Sequence, residues 1–427
     1  SSWFATWPTS GGSWPARKGR GGAEYPRSVI SLAEARAHVF ERCPGPVVSE
    51  VPLSDARGLV TAAPVVATGA VPPFANSAMD GFAVRSADTV GAPLGLRIVG
   101  TLAAGAVPDV EVCPGEAIRI MTGAPMPDGA DSVVMVEKTA VSDDGAVVTV
   151  AVEVGEGNHV RSAGEDLLPG EEVFASGTAL GPGHLGVLAS IGCGSVTAFR
   201  RLRVGVLSTG DELVEGPAAL RVGQIRDSNR PALLALLDEM GVVPVDLGLV
   251  VDDEDAITAA LLDGVARCDA VLTSGGVSMG DFDYVKVVLD RIGEMRWMQV
   301  AIRPAKPLAF GLVEGVPVFG LPGNPVSSMV SFELFARPAL RAMSGHTDLE
   351  RQRVQARVVG GLKRHADGKV HFGRVVVEYR DGRYLAASAG GQGSHQLTAM
   401  ATATGLAVLP DGDGVADGDL VEVILLG

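Results

Sequence analysis

Between residues 200 and 345, short apolar runs alternate with amphipathic stretches. Arg203-Val204-Gly205-Val206-Leu207-Ser208 is a continuous run of the kind found in strands covered on both faces. Asp227-Ser228-Asn229-Arg230-Pro231 then predicts a capped helix start, with the helix running to Met240 and Pro231 in its first turn. The same reading gives strands over 242–251, 270–273 and 316–321, and helices over 253–266, 284–292 and 326–342. Such alternation implies right-handed βαβ crossovers and a largely parallel sheet, with ligands at the carboxyl ends of its strands. Thr209-Gly210-Asp211-Glu212, Asp252-Asp253, 274–283 and 322–325 should all fall on that edge.

The remainder follows other periods. Residues 28–43 carry a helical pattern with Ser31 as N-cap and Leu32, Ala35, Val39 and Phe40 on one face, and 183–191 reads as a second helix. From 65 to 154 the chain is a series of short β-branched runs punctuated by Gly and Pro, a β-rich module. From 352 onward alternating runs such as 354–359, 370–379 and 420–425, joined by Asp-Gly turns, predict a small barrel or open sheet.

Length and composition narrow the class. A chain of 427 residues exceeds what one core serves, which predicts three or four domains. With 20% charged residues spread throughout, no stretch reads as a membrane span. A net charge of −15 argues against nucleic acid as a partner, because phosphate-backbone affinity needs clustered Lys and Arg. Cys43, Cys113, Cys193 and Cys268 include no C-x-x-C pair, which fits reduced thiols in a cytoplasm better than zinc or disulfides. Residues 1–25 lack the apolar stretch of a signal peptide and are rich in Gly, Ser, Arg and Pro, which predicts a disordered extension. Trp3, Trp7 and Trp14 leave open a short partner-binding arm there.

The chemistry concentrates in 268–330. Ala270-Val271-Leu272-Thr273 opens into Ser274-Gly275-Gly276-Val277-Ser278-Met279-Gly280-Asp281-Phe282-Asp283, and later come Pro304-Ala305-Lys306-Pro307 and Gly320-Leu321-Pro322-Gly323-Asn324-Pro325-Val326-Ser327. Paired glycines let a backbone approach a ligand, and a following helix directs free N–H groups at an anion. Asp281 and Asp283 add carboxylates where a phosphate-bound Mg²⁺ needs oxygen ligands. The set predicts a site for a phosphorylated molecule and a metal. Taken singly, Asn324-Pro325 is also simple helix-start chemistry, and Asp252-Asp253 could merely cap a helix. Arg374 offers a fork of donors to an oxyanion, although an exposed salt bridge serves a lone Arg equally. Gly390-Gly391-Gln392-Gly393-Ser394-His395 carries further polar groups; His365 and His371, the closest histidine pair, lack metal-ligand spacing.

Asn76-Ser77-Ala78-Met79-Asp80-Gly81-Phe82-Ala83, Met121-Thr122-Gly123-Ala124-Pro125, Ser208-Thr209-Gly210-Asp211-Glu212-Leu213, the Ser274–Gly280 loop and the 320–327 segment occur in an order that resembles the molybdopterin molybdenumtransferases, the MoeA or gephyrin E-domain family. The resemblance runs from about residue 26 to the end. It implies a multidomain α/β plus β protein: a parallel-sheet α/β domain resembling the molybdopterin-binding (MogA-like) fold at 199–345, an inserted β-rich domain at 66–154, a discontinuous linking domain at 26–65 and 155–198, and a C-terminal β-barrel at 346–427. It also implies an L-shaped subunit in a cytoplasmic homodimer whose active cleft takes the inserted domain of the partner copy.

The implied reaction is the last step of molybdenum cofactor synthesis, in which molybdate enters adenylylated molybdopterin and AMP leaves. By the resemblance, Glu212, Asp252 and Asp283 hold Mg²⁺ directly or through water, and Asp80 and Thr122 reach substrate across the dimer. Ser274, Gly275, Gly276, Ser278 and Gly280 cradle phosphate with Pro322, Gly323, Asn324 and Pro325. Arg303, Lys306, Ser327, Arg374 and Ser394 form the molybdate pocket. The chain departs from the family at Gln299 and Arg303, where lysines are common, which bears on the choice between molybdate and tungstate. Two alternatives share the α/β domain: a non-catalytic carrier or scaffold, and an adenylyltransferase acting on molybdopterin, which would lack the inserted and terminal β domains.

Overall fold

Strands that are buried on both faces must be covered on both faces, and Arg203–Thr209 and Ala270–Ser274, buried from Val204 and Ala270 to their ends, occupy the middle of a six-stranded sheet. The computed structural model describes residues 29–276 and 284–426, in two units: one holds the chain up to Pro44, Leu202–Leu340 and the chain from Leu349 on, the other Gly45–Arg201 and Arg341–Asp348. The extension 1–25 and, within the glycine loop, Ser278, Gly280, Asp281 and Asp283 lie outside the described residues.

In the first unit the sheet runs Val243–Val250, Arg203–Thr209, Ala270–Ser274, Val316–Leu321, Pro307–Val313, Gly293–Gln299. The first four strands are parallel, as the alternating pattern predicts. The last two are antiparallel and were not predicted. Pro307–Val313 returns to Val316–Leu321 through Glu314-Gly315, both at positive φ (51° and 82°), as a two-residue hairpin turn requires. Ile257, Leu261, Val265, Val285, Val288 and Leu289 from the helices Glu254–Arg267 and Tyr284–Ile292 fill one core with Leu207, Val271, Ala309 and Val318 of the sheet.

The helix expected over 326–342 runs over 325–343 and contains an irregular turn. Pro325–Ser331 gives way to a π-helical turn at Phe332–Ala336 before Arg337–Met343. Pro338 has no N–H and its ring opposes the carbonyl four residues earlier, so the widened turn lets the axis pass it. Near the N-terminus, Ser31 caps Leu32–Arg42 by accepting from the Glu34 N–H at 3.1 Å, as its pattern predicts, with Ala35 and Val39 buried.

The C-terminal strands close on themselves. Val370–Arg380 pairs with Arg383–Ser388 and with Gly405–Leu409, and Arg353–Val359 and Leu420–Leu425 complete a five-stranded barrel. Ala356, Val358, Val375, Ala386, Ala407 and Val423 point inward. The short strand Ile302–Arg303 joins the barrel beside Val370 and His371, so the Arg303–Lys306 turn stands at the junction of barrel and α/β sheet.

The second unit contains a six-stranded sheet in the order Ser132–Met135, Gly81–Val84, Glu116–Ile120, Leu94–Leu102, Val147–Val150, Thr139–Val141. Phe82 and Val84 enter one core and Ala83 the other, the period of two expected of a strand covered on both faces. A Cβ on Gly81 would lie 2.0 Å from the Val134 carbonyl oxygen, so only glycine allows the close crossing that follows Asp80. A further core of Ala56, Leu59, Leu180, Leu188, Ile191 and Ala198 gathers around the helix Pro182–Ser190. All four cysteines are unpaired. Among the described residues no helix is long and apolar enough to cross a membrane.

Candidate functional site

Parallel register brings Ser208, Ser274 and Leu321 side by side at the carboxyl ends of three neighbouring strands. Beyond them, Gly275 and Gly276 take φ of 97° and 68°, and a Cβ on Gly275 would press to 3.0 Å from the Thr209 carbonyl oxygen. The Gly275 N–H donates to the Leu321 carbonyl at 3.2 Å, and Gly323 stands against Gly275. The two predicted glycine segments therefore form one floor. Asn229 ties them together: its Nδ2 donates to Ser274 Oγ and to the Gly323 carbonyl, both at 2.7 Å. The sequence had offered Asn229 only as part of a helix start.

The carboxylates gather on the same edge. Glu212 folds back over Gly210, whose missing Cβ would otherwise meet the carboxylate at 2.6 Å. The Asp252 N–H donates to Asp211 Oδ1 at 3.1 Å. Burial pushes the Asp252 carboxyl above its ordinary value, and the adjacent Asp211 and Glu212 charges push the same way. Asp211 belongs with this group although the sequence did not single it out; its place beside Glu212 at a strand end was the available signal. Asp253, by contrast, caps the helix Glu254–Arg267 by accepting from the Ala256 N–H at 2.9 Å. Among the described residues no three His, Cys, Asp or Glu side chains converge in a metal-binding group. An oxygen-only set still suits Mg²⁺, which keeps several waters and takes one or two carboxylates plus substrate phosphate.

The cationic residues come from the barrel and the turn that meets it. Arg374 is fully buried; its guanidinium donates to the carbonyls of Gly391 (2.8 Å) and Gly393 (3.2 Å), and its Nε has no partner among the described residues. No described carboxylate pairs with it, and burial lowers its pKa. Gln392, which the sequence offered only among the polar groups of 390–395, clamps the Arg374 backbone: its Oε1 accepts from the N–H at 2.9 Å and its Nε2 donates to the carbonyl at 3.0 Å. Arg374 and Arg303 line one cavity of about 420 Å³ together with Lys363, His365 and His371. Asp367 offsets part of that charge, receiving Lys369 at 2.8 Å and His371 at 3.0 Å, and is held down to about 2, chiefly by Lys369.

The remaining predicted molybdate residues are Lys306, Ser327 and Ser394. Lys306 is exposed and follows Ala305, buried at φ 73°, on the turn that begins with Arg303. Ser327 is buried in the first turn of its helix, and the neighbouring Val326 N–H donates to the Ser394 carbonyl at 3.2 Å. Ser327 and Ser394 are thereby brought together.

In the other unit, Asp80 and Thr122 meet as a pair. Asp80 Oδ1 accepts from the Thr122 N–H at 2.7 Å and from its hydroxyl at 2.8 Å. Those two donors, the backbone one foremost, hold the exposed Asp80 carboxyl below its ordinary value, with Arg119 adding to the effect. Gly123, at φ 81°, donates its N–H to the Ser77 carbonyl at 2.8 Å and so locks the two motifs to each other.

Three family models match the chain: one described as the MoeA N-terminal region (domain I and II) over residues 30–192, one as a probable molybdopterin binding domain over 205–342, and one as the MoeA C-terminal region (domain IV) over 361–426. The molybdopterin molybdenumtransferase of Haemophilus influenzae is 36% identical over 398 residues, covering 92% of this chain and 98% of its own. A protein of Mycobacterium tuberculosis named molybdopterin molybdenumtransferase 2 is 38% identical over 409 residues, with 93% and 97% covered. The crystal structure of a molybdopterin biosynthesis MoeA protein from Pyrococcus horikoshii superposes with a TM-score of 0.76 at 31% identity, over 94% of this chain and all of that one.

The Asp80 geometry makes a direct prediction. Thr122→Val removes one of its two donors, so the Asp80 carboxyl should rise part of the way toward the ordinary aspartate range. Carbon-detected NMR titration of the carboxyl reads this; an unmoved midpoint would mean that the hydroxyl contributes nothing to the pair.

Proposed function

The chain belongs to the molybdopterin molybdenumtransferase (MoeA) family, and on that premise we propose that it inserts molybdate into adenylylated molybdopterin with release of AMP. It is a transferase of molybdenum cofactor biosynthesis. The observation that carries the oxyanion part of the reading is Arg374, a buried guanidinium with no described carboxylate partner, lining a cavity beside Arg303. Molybdate has two charges and four oxygens, and cations with hydroxyl donors are the chemistry it needs. Lys306, Ser327 and Ser394 would supply further contacts.

The floor made by Ser274, Gly275, Gly276, Gly323 and Asn324 suits a pyrophosphate, since it offers close backbone approach and little negative charge. Ser278, Gly280, Pro322 and Pro325 would complete it. Glu212 and Asp252, with Asp283, would hold Mg²⁺ beside it; Asp252 supports this, because crowded carboxylates on a half-buried edge favour a cation between them. Mg²⁺ bound to the pyrophosphate would neutralise its charge and ease departure of AMP. No side chain need form a covalent intermediate: the residues bind, orient and stabilise developing charge. We place this work in the cytoplasm, where the unpaired cysteines would stay reduced.

Adenylyl transfer by an α/β domain alone would leave the barrel and the inserted sheet without a task. With Mg²⁺ present, AMP release from adenylylated molybdopterin should require molybdate. Glu212→Gln should slow it about 10²-fold or more with little change in Tm, because Glu212 sits on a rim outside the core. Release without molybdate, or a parental rate in Glu212→Gln, would contradict the reading.

The proposal includes a homodimer in which Asp80 and Thr122 act on substrate held by the partner copy; their exposed, preset pairing supports a role toward something outside their own unit. Mixing inactive Asp80→Ala chains with inactive Glu212→Ala chains should then restore part of the activity, since one composite site in each heterodimer is intact. No recovery in verified heterodimers would show that each site is built within one chain.

A further inference from the structure

Asn229 stands at the first position of the helix Asn229–Glu239, yet its side chain does not cap that helix. Asp227 does the local work: its Oδ1 accepts from the Arg230 N–H and from Ser208 Oγ, both at 3.2 Å. Arg230 in turn pairs with Asp227, Asp246 and Glu215. The helix start is therefore pinned to the strands Arg203–Thr209 and Val243–Val250 without Asn229. Freed from capping, the Asn229 amide spans the gap between the two glycine segments, with one hydrogen on Ser274 Oγ and the other on the Gly323 carbonyl.

Hydrogen-bond polarity now follows by elimination. A carbonyl oxygen only accepts, so Gly323 fixes which end of the Asn229 amide faces the segments. Both Nδ2 hydrogens are then used, and Ser274 Oγ must be an acceptor toward Asn229. Its own proton has to leave in another direction, and among the described residues nothing accepts it. Ser274 is 2% exposed and lies immediately before the two positive-φ glycines. The Gly323 carbonyl has a matching consequence: in a planar trans peptide the N–H of the next residue points the opposite way, so holding the carbonyl on Asn229 turns the Asn324 N–H away from it. The Asn229 Oδ1 is buried with no donor among the described residues, a cost that persists only where the two Nδ2 bonds are needed.

We infer that Asn229 is a positioning residue that presets the Ser274 hydroxyl and the Asn324 N–H as donors for one phosphate oxyanion, coupling the two glycine segments into a single anion floor. This rests on the proposed phosphorylated substrate and deepens it by naming the side chain that sets donor polarity. Asn229 itself touches no substrate atom; it acts through Ser274 and the Gly323–Asn324 peptide.

Calorimetric titration of the full chain with AMP in the presence of Mg²⁺ tests the inference. Ser274→Ala and Asn229→Leu should each weaken AMP binding about tenfold. The double variant should fall well short of the product of the two, because Asn229 acts in large part by directing the donor that Ser274→Ala removes. Asn229→Asp keeps the size of the side chain but draws the Ser274 proton to itself, so it should weaken AMP at least as much and make Ser274→Ala silent; it carries the test should the Leu variant fail to fold. With the complete substrate, KM should rise more than kcat falls, whereas a general loss of structure would lower Tm and molybdate affinity as well. Parental AMP binding with unaffected Asn229 variants, or losses that multiply to about a hundredfold, would overturn the inference alone. A parent chain that does not bind AMP would overturn the substrate reading and this inference together.

Discussion

A guanidinium stripped of water and given no carboxylate is the constraint around which the barrel end is built. Arg374 retains only the peptide carbonyls of Gly391 and Gly393 as acceptors, both for its Nη2, and its buried Nε retains none among the described residues. Desolvating such a charge costs several kcal/mol, which neutral acceptors offset only in part. The protein keeps the arrangement rigid: Gln392 fixes the Arg374 backbone from both sides, and Val370–Arg380 is paired along both edges in the closed barrel. The cavity beside it adds Arg303, Lys363 and two histidines, with Asp367 as a partial counterweight. An oxyanion would satisfy this charge, and the electrostatics of the site depend on it.

The glycine floor is arranged by different means. There the strand ends contribute hydroxyls and peptide groups in place of cations, and glycine is required at Gly275, where φ is 97° and a Cβ would press to 3.0 Å from the Thr209 carbonyl oxygen. The acidic side chains Asp211, Glu212 and Asp252 lie along the same edge, where their mutual repulsion favours a bound cation. Cations at the barrel, neutral donors at the glycine segments and carboxylates at the strand ends suit the proposed substrate, which would bring an oxyanion, a pyrophosphate and a metal together.

Much of this was legible in the chain because the elements involved are local. Buried strands announce themselves as continuous apolar runs, Ser31 and Asp253 act as ordinary caps, and Gly275-Gly276 and Gly323 mark close approaches. The parts that escaped depend on partners distant in sequence or on untypical turns. The hairpin at Glu314-Gly315 lacks the Asn or Asp that usually signals such a turn, so two antiparallel strands went unread. The π-helical turn at Phe332–Ala336 precedes Pro338 within an otherwise regular helical pattern, which carries no signal for it. Gln392 reaches Arg374 across 18 residues, and Asn229 reaches Ser274 across 45 and Gly323 across 94, separations at which spacing carries no information.

The central claim is that the buried Arg374 charge belongs to a dedicated oxyanion pocket, separate from the phosphate floor. Charge-assisted hydrogen bonds of this kind contribute about 1.5–3 kcal/mol each. Titrating molybdate and AMP in parallel against the parent and Arg374→Ala measures this most directly. The account predicts molybdate affinity lower by about tenfold or more with AMP binding nearly unchanged; undiminished molybdate affinity, or an equal loss for both ligands, would contradict it.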